Sequence, residues 1–135
     1  MLAVDTSIVV AAFAEWHERH AEAVAALADG PSVAAHSVLE SYSVLTRLPA
    51  PLRMAGDVVL AFLSREFPSA ARLTLDPRAQ RDAADRLGSA GLVGGAVYDG
   101  FVALTAAAAG APLLSLDERA MPTYLRVGAQ ARLID

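Results

Sequence analysis

Short apolar runs that stop at a polar step and hand over to a helical pattern constrain this chain more than any other feature. Leu2-Ala3-Val4 runs into Asp5-Thr6-Ser7, Ser32 to Ala35 into His36-Ser37, Arg72 to Leu75 into Asp76-Pro77, and Leu113 to Leu116 into Asp117. Such runs are too short for helices, and strands buried on both faces read as continuous apolar segments. Parallel neighbours need crossovers, so strands alternating with helices predict an α/β fold, a parallel or mostly parallel sheet with helices on both faces. Strand order does not follow from the pattern.

The helical segments carry their own punctuation. Ile8 to Ala14 reads as the first helix, with Thr6 or Ser7 as its cap, and His17 to Asp29 as the second, stopped by Gly30-Pro31. Ser37 opens a third that carries Val38, Leu39, Tyr42, Val44, Leu45 and Leu48 until Pro49 and Pro51 break it. Leu52 to Phe67 keeps a helical period, and Asp76-Pro77 supplies a cap with proline at the first helical position for a helix through Ser89. Past the loop of Gly91, Gly94 and Gly95, Ala96 to Ala109 is a helix with Asp99 in its first turn, Asp117 to Leu125 is the last helix and Ala131 to Ile134 a final strand. No linker, repeat or charge block interrupts the chain, so residues 1–135 read as one domain.

Composition narrows the chemistry. With 55% hydrophobic and 19% charged residues the chain is globular, and with no cysteine it has neither disulfides nor a thiolate metal site. Metal ligation would use carboxylate, imidazole or carbonyl groups, which makes hard, oxygen-loving ions the default. There is no basic region ahead of an apolar signal segment and no run long enough to span a bilayer, so a cytoplasmic protein without a membrane is expected. The net charge of −4 gives no general attraction to nucleic acid, yet all 11 basic residues are arginine, a residue suited to phosphate. A GC-rich coding sequence accounts for the same bias.

Four carboxylates recur at equivalent places: Asp5 after the first strand, Glu40 after the second, Asp99 after the glycine loop and Asp117 after the fourth strand. Each has a structural explanation alone. Asp5 and Asp117 are good helix caps, Ser37-x-x-Glu40 is a capping-box sequence, and acids in a first turn suit the helix dipole. Together they mean more, because right-handed crossovers bring strand ends to one sheet edge, where open parallel sheets bind ligands. Convergent carboxylates repel, and either take up protons or bind a cation, with Mg²⁺ or Mn²⁺ favoured by an oxygen-only site. No thiol or histidine pair is placed there for zinc.

Other chemistries fit less well. A phosphatase of the dehalogenase type wants a second Asp where Ser7 stands, and that class, receiver domains and P-loop hydrolases use a lysine that the chain lacks. His17 and His20 lack metalloprotease spacing and read as surface residues, and His36 as a capped strand end. Phe13, Trp16, Phe62 and Phe67 read as core or interface, and the helices carrying Phe13 and Phe62 as the place for a partner groove.

Four stretches in order resemble the PIN-domain nucleases, and more narrowly the VapC toxins of bacterial toxin-antitoxin modules: Val4-Asp5-Thr6-Ser7, Leu39 to Pro49, Gly94 to Asp99 and Leu113 to Asp117. The resemblance implies a three-layer α/β/α fold and Mg²⁺-dependent hydrolysis of RNA, with Mn²⁺ as substitute. It assigns the four acids to Asp5, Glu40, Asp99 and Asp117, as metal-holding and catalytic residues, and supporting hydroxyls to Ser7 and Ser115. Water attack would leave 5′-phosphate and 3′-hydroxyl ends. It further implies a small cognate antitoxin and a homodimer. Ala96 stands where many relatives carry a basic residue, and Gly100 where alanine is usual, which should only loosen the helix start. Arg47, Arg53 and Arg119 are the candidate RNA contacts. The competing reading is a catalytically silent PIN-like module that binds RNA or a partner protein.

Overall fold

In a computed structural model describing residues 1–135, the elements run β1 (Ala3–Val4), α1 (Thr6–Phe13), α2 (His20–Leu27), β2 (Ser32–Ala34), α3 (Ala35–Thr46), α4 (Gly56–Glu66), a 3₁₀ turn (Ser69–Ala71), β3 (Arg72–Leu73), α5 (Pro77–Ser89), α6 (Ala96–Ala108), β4 (Leu113–Ser115), α7 (Met121–Val127) and β5 (Ala131–Leu133). The five strands form one sheet in the order β3-β2-β1-β4-β5, with every pairing parallel. Val4 lies opposite Val33 on one side and Leu114 on the other, which places β1 at the centre.

The two-residue alternation of strand side chains builds three layers. Val4, Val33 and Leu114 face α1 to α4 and pack with Ile8, Val38, Leu45, Phe62 and the fully buried Phe67. Ala3, Ala34 and Leu113 face the other way, against Val102, Ala103 and Ala106 of α6 and Tyr124 of α7. A third cluster of Leu75, Ala83, Leu87, Leu92 and Leu104 holds α5 to α6. No helix is long and apolar enough to cross a membrane.

Several boundaries differ from those the sequence suggests. α2 starts at His20, not His17, because the intervening residues form turns pinned by histidine: His17 Nδ1 accepts from the Arg19 amide (3.0 Å) and His20 Nδ1 pairs with the Ala11 carbonyl (2.8 Å). Both rings thus serve the α1–α2 connection. α4 starts at Gly56, not Leu52, since residues 49–55 fold back over the end of α3, where the Met54 amide bonds the Leu45 carbonyl (3.1 Å). A Cβ on Gly56 would lie 2.6 Å from the Tyr42 hydroxyl, so a larger residue at that crossing would have to displace the end of the Tyr42 side chain. Asp76 caps α5 as read, its Oδ1 accepting from the Ala79 amide at 2.8 Å.

Gly100 has a packing role that its sequence context hides. A Cβ there would lie 2.5 Å from Leu92 Cδ1 and 2.9 Å from Leu87 Cδ2. The glycine lets α6 seat against the α5 cluster, and the expectation that it merely loosens the helix start is corrected.

Candidate functional site

β1 has β2 on one side and β4 on the other, so the chain reverses its direction of progress through the sheet there. In an open α/β sheet the crevice outside the strand ends at such a reversal is where ligands bind. Asp5 occupies it, next to Val4 and 2% exposed. Asp5 is itself the N-cap of α1, its Oδ1 accepting from the Ile8 amide (3.3 Å), which corrects the assignment of the cap to Thr6 or Ser7.

Those two side chains have other work. Ser7 Oγ donates to Asp5 Oδ1 (2.5 Å) and accepts from the Leu116 amide (2.9 Å), fastening α1 to the end of β4. Thr6 Oγ1 donates to Glu40 Oε1 (2.6 Å). The buried Ser115 Oγ accepts from the Asp117 amide (2.9 Å), lies 3.4 Å from Ser7 Oγ and stands against Asp5 without a well-formed hydrogen bond to it.

The closest partner of the second Asp5 oxygen was not foreseen. Tyr124, 3% exposed on α7, donates its hydroxyl to Asp5 Oδ2 at 2.8 Å. Alternation along β1 turns Asp5 to the α6–α7 side, and a buried tyrosine needs a partner for its hydroxyl. An amphipathic tyrosine in an apolar helix is the signal available in the sequence, but nothing there names the acceptor.

The remaining acids come from three different settings. Glu40 is the sixth residue of α3, in its second turn and not its first, because the helix starts at Ala35 without a side-chain cap. The capping-box reading of Ser37 is therefore corrected: Ser37 is buried inside the helix and its Oγ has no partner. His36 is the second residue of α3, not the cap of a strand end. Asp99 is in the first turn of α6 as expected. Asp117 does not cap a helix, since α7 begins at Met121; its Oδ1 accepts from the Arg119 amide (2.9 Å) in a turn that leads there.

Electrostatics tie these residues together. Burial pushes the Asp5 carboxyl upward, against the opposing pull of Ser115, Ser7, Tyr124 and the Ile8 amide, none of which is charged. Asp99 is raised by its half-burial first, then by the negative charges of Asp117, Glu40 and Asp5, with Arg119 opposing. Tyr124 is likewise held in its protonated form by burial and by Asp5. The four acids thus share one negative field, although no three of them close on a common point as a preformed metal cage would. Arg119 is the guanidinium near them, 95% exposed and 3.7 Å from Asp117. Arg47 and Arg53 are bonded to Ser43 and to the Leu48 carbonyl around the far end of α3.

A carboxyl with a raised folded-state pKa gives its full stability below its ordinary value, and that contribution disappears as pH rises through the folded value. Asp5→Asn keeps an acceptor for Ser7 and the Ile8 amide but cannot ionise. In EDTA it is expected to melt several degrees above wild type at about pH 8, with the gap closing toward about pH 4. Thermal denaturation across that range checks this, and a variant less stable than wild type throughout contradicts the burial cost.

Comparison with known proteins agrees with this architecture. The PIN domain family model matches residues 2–124. Ribonuclease VapC40 of Mycobacterium tuberculosis is 47% identical over 134 residues, covering 99% of both chains. Ribonuclease VapC27 of the H37Rv strain of that organism is 41% identical over 128 residues, covering 94% of this chain and 92% of the relative. With the family model matched over residues 2–124 and relatives aligned over nearly the whole chain, on an all-parallel five-stranded sheet, the chain belongs to the PIN-domain family, in its VapC branch.

Proposed function

We propose that this chain is an endoribonuclease that hydrolyses RNA phosphodiester bonds with Mg²⁺ or Mn²⁺ held by Asp5, Glu40, Asp99 and Asp117, and that it is the toxin of a toxin-antitoxin pair. One observation carries the reading: Asp5 is buried at the sheet reversal with only uncharged donors, and Asp99 lies in the negative field of Asp117, Glu40 and Asp5. Asp5 has no charged partner, and the guanidinium near the acids, Arg119, is 95% exposed and 3.7 Å from Asp117. The ribonuclease names of the full-length relatives support the same activity.

The donor set suits a divalent cation, because carboxylate oxygens with open space for water are what Mg²⁺ and Mn²⁺ take, and one or two direct carboxylates suffice. When bound, the ion would activate a water and offset charge on the scissile phosphate. The residues prepare that place. Tyr124 and Ser7 fix both oxygens of Asp5, so its position is set before substrate arrives. Thr6 fixes one oxygen of Glu40, and Ser115 holds the backbone of Asp117 in its turn. Asp99 accepts no side-chain or backbone hydrogen bond, and half-burial and the charges of Asp117, Glu40 and Asp5 raise its carboxyl above the ordinary value, so its oxygens are free for a cation that would relieve that repulsion.

The partner surface lies elsewhere. An apolar groove of about 1050 Å³ runs between α1, α2 and α4, away from the acids, lined by Phe13, Trp16, Val24, Leu27, Val58 and Phe62 among others. Phe13 and Phe62 meet edge to face at 5.0 Å in its floor, while Trp16 and Val58 are each about half exposed on its rim. Glu15, Asp57 and Glu66 outnumber Arg65 along its edges. It suits an amphipathic antitoxin segment with basic flanks.

Incubated with RNA, the wild-type chain is expected to cut only with Mg²⁺ or Mn²⁺ present, leaving 5′-phosphate ends, and Asp5→Asn and Asp99→Asn to cut about 100-fold more slowly or worse. Cleavage unchanged in EDTA or in both variants contradicts the proposal, and RNA binding by a wild type that never cuts favours the silent module. Trp16→Ala is expected to weaken capture of the protein encoded immediately upstream by roughly 30-fold or more, with cleavage retained. Unchanged capture in a pull-down places the antitoxin elsewhere.

A further inference from the structure

The acids are bordered by an aromatic and apolar rim that neither the fold nor the cation requires. Tyr98, immediately before Asp99, is 58% exposed, and Leu39, immediately before Glu40, is 70% exposed. The Tyr98 ring is held flat. It stacks on His36 with 5.5 Å between centroids and 4° between planes, and Phe101 braces the same imidazole edge-on at 5.6 Å and 82°. His36 is one turn before Glu40 on α3, and Tyr98 and Phe101 flank Asp99 on α6, so the stack joins the two helices that supply those acids. His36 Nε2 is buried without a hydrogen-bond partner, a cost in free energy that the ring packing has to offset. Beside the stack, His36, Leu39, Gln80 and Phe101 line a cleft of about 280 Å³.

Resting on the nuclease reading above, we propose that Tyr98, backed by His36, is the platform on which an unpaired RNA base next to the scissile phosphate stacks. Charge explains why an uncharged ring belongs there. The guanidinium near the acids, Arg119, is on the Asp117 side at 3.7 Å, and residues 93–101 contain no basic residue, so on the Asp99 side the contact open to RNA is an uncharged ring. A π-face adds affinity that the acids do not cancel and accepts any base. Because His36 already fixes the ring, little side-chain freedom is lost on binding.

The test uses the full chain with Mn²⁺ and a randomised single-stranded 12-nucleotide RNA carrying a fluorophore and a quencher. Tyr98→Ala is expected to raise KM on the order of 10- to 100-fold with kcat little changed, since stacking is made equally in ground and transition states. Tyr98→Phe is expected to keep the wild-type KM and melting temperature, and Tyr98→Ala to melt a few degrees lower, for want of the stack on His36, while remaining folded at the assay temperature. Equal KM for Tyr98→Ala and wild type overturns the platform while leaving the nuclease reading intact. A KM defect that Tyr98→Phe shares also overturns it, because the hydroxyl and not the ring would be in use. So does a drop in oligomeric state of Tyr98→Ala by sedimentation, which would make the rim a contact between copies. A wild type that cuts no RNA with any divalent ion overturns both readings.

Discussion

The buried carboxylate of Asp5 is the constraint on which the rest of the site depends. A carboxylate taken from water without a counter-charge is costly, and the fold meets part of that cost with three donors from two helices, the Ile8 amide, Ser7 and Tyr124. These bonds also do architectural work. Ser7 reaches the end of β4, and Tyr124 fastens α7 to the end of β1, so the residue that most needs a partner knits together both layers of helices. The remaining cost shows as an Asp5 carboxyl raised by burial and as an Asp99 raised by burial and by the charges of Asp117, Glu40 and Asp5. A fold that keeps this cost has a use for positive charge at that point.

The unequal faces of the sheet explain how the acids come within range of one another. The α1–α4 face is filled by bulky side chains such as Phe62, Leu63 and Phe67. The α6–α7 face is built from Ala3, Ala34, Ala103, Ala106 and Ala111 with few large residues, and small side chains let a helix lie close to the strands. Gly100 extends the close approach to α5. Asp99 is thereby carried on a rigid helix to the same sheet edge as Asp5, while its solvent-facing neighbour Tyr98 is left free at the rim.

Much of this was legible in the sequence, and for reasons that can be named. The strand runs at β1, β2 and β4 and the Asp76-Pro77 start of α5 follow local rules, so they stand nearly as read. Helix starts that involve distant contacts do not follow local pattern: α4 begins at Gly56 only after residues 49–55 fold back on α3 through the Met54–Leu45 bond, and α3 begins before Ser37, with His36 against Tyr98 and Phe101 of α6. The same limit applied to the site. Asp5, Glu40, Asp99 and Asp117 could be grouped from topology, but the direct bond from Tyr124 spans 119 residues and the His36–Tyr98 stack joins two helices far apart in the chain. No local pattern encodes either.

The central claim is that Asp5 sits buried and underpaired because a divalent cation completes the site. A crystal of the chain soaked in Mn²⁺ and measured at the manganese absorption edge tests it most directly. An anomalous peak is expected at the C-terminal edge of β1, within coordination distance of Asp5 and at least one of Asp99, Glu40 and Asp117, with waters filling the remaining positions. Saturating Mn²⁺ that leaves this edge without a peak, with the Tyr124–Asp5 hydrogen bond intact, would contradict it.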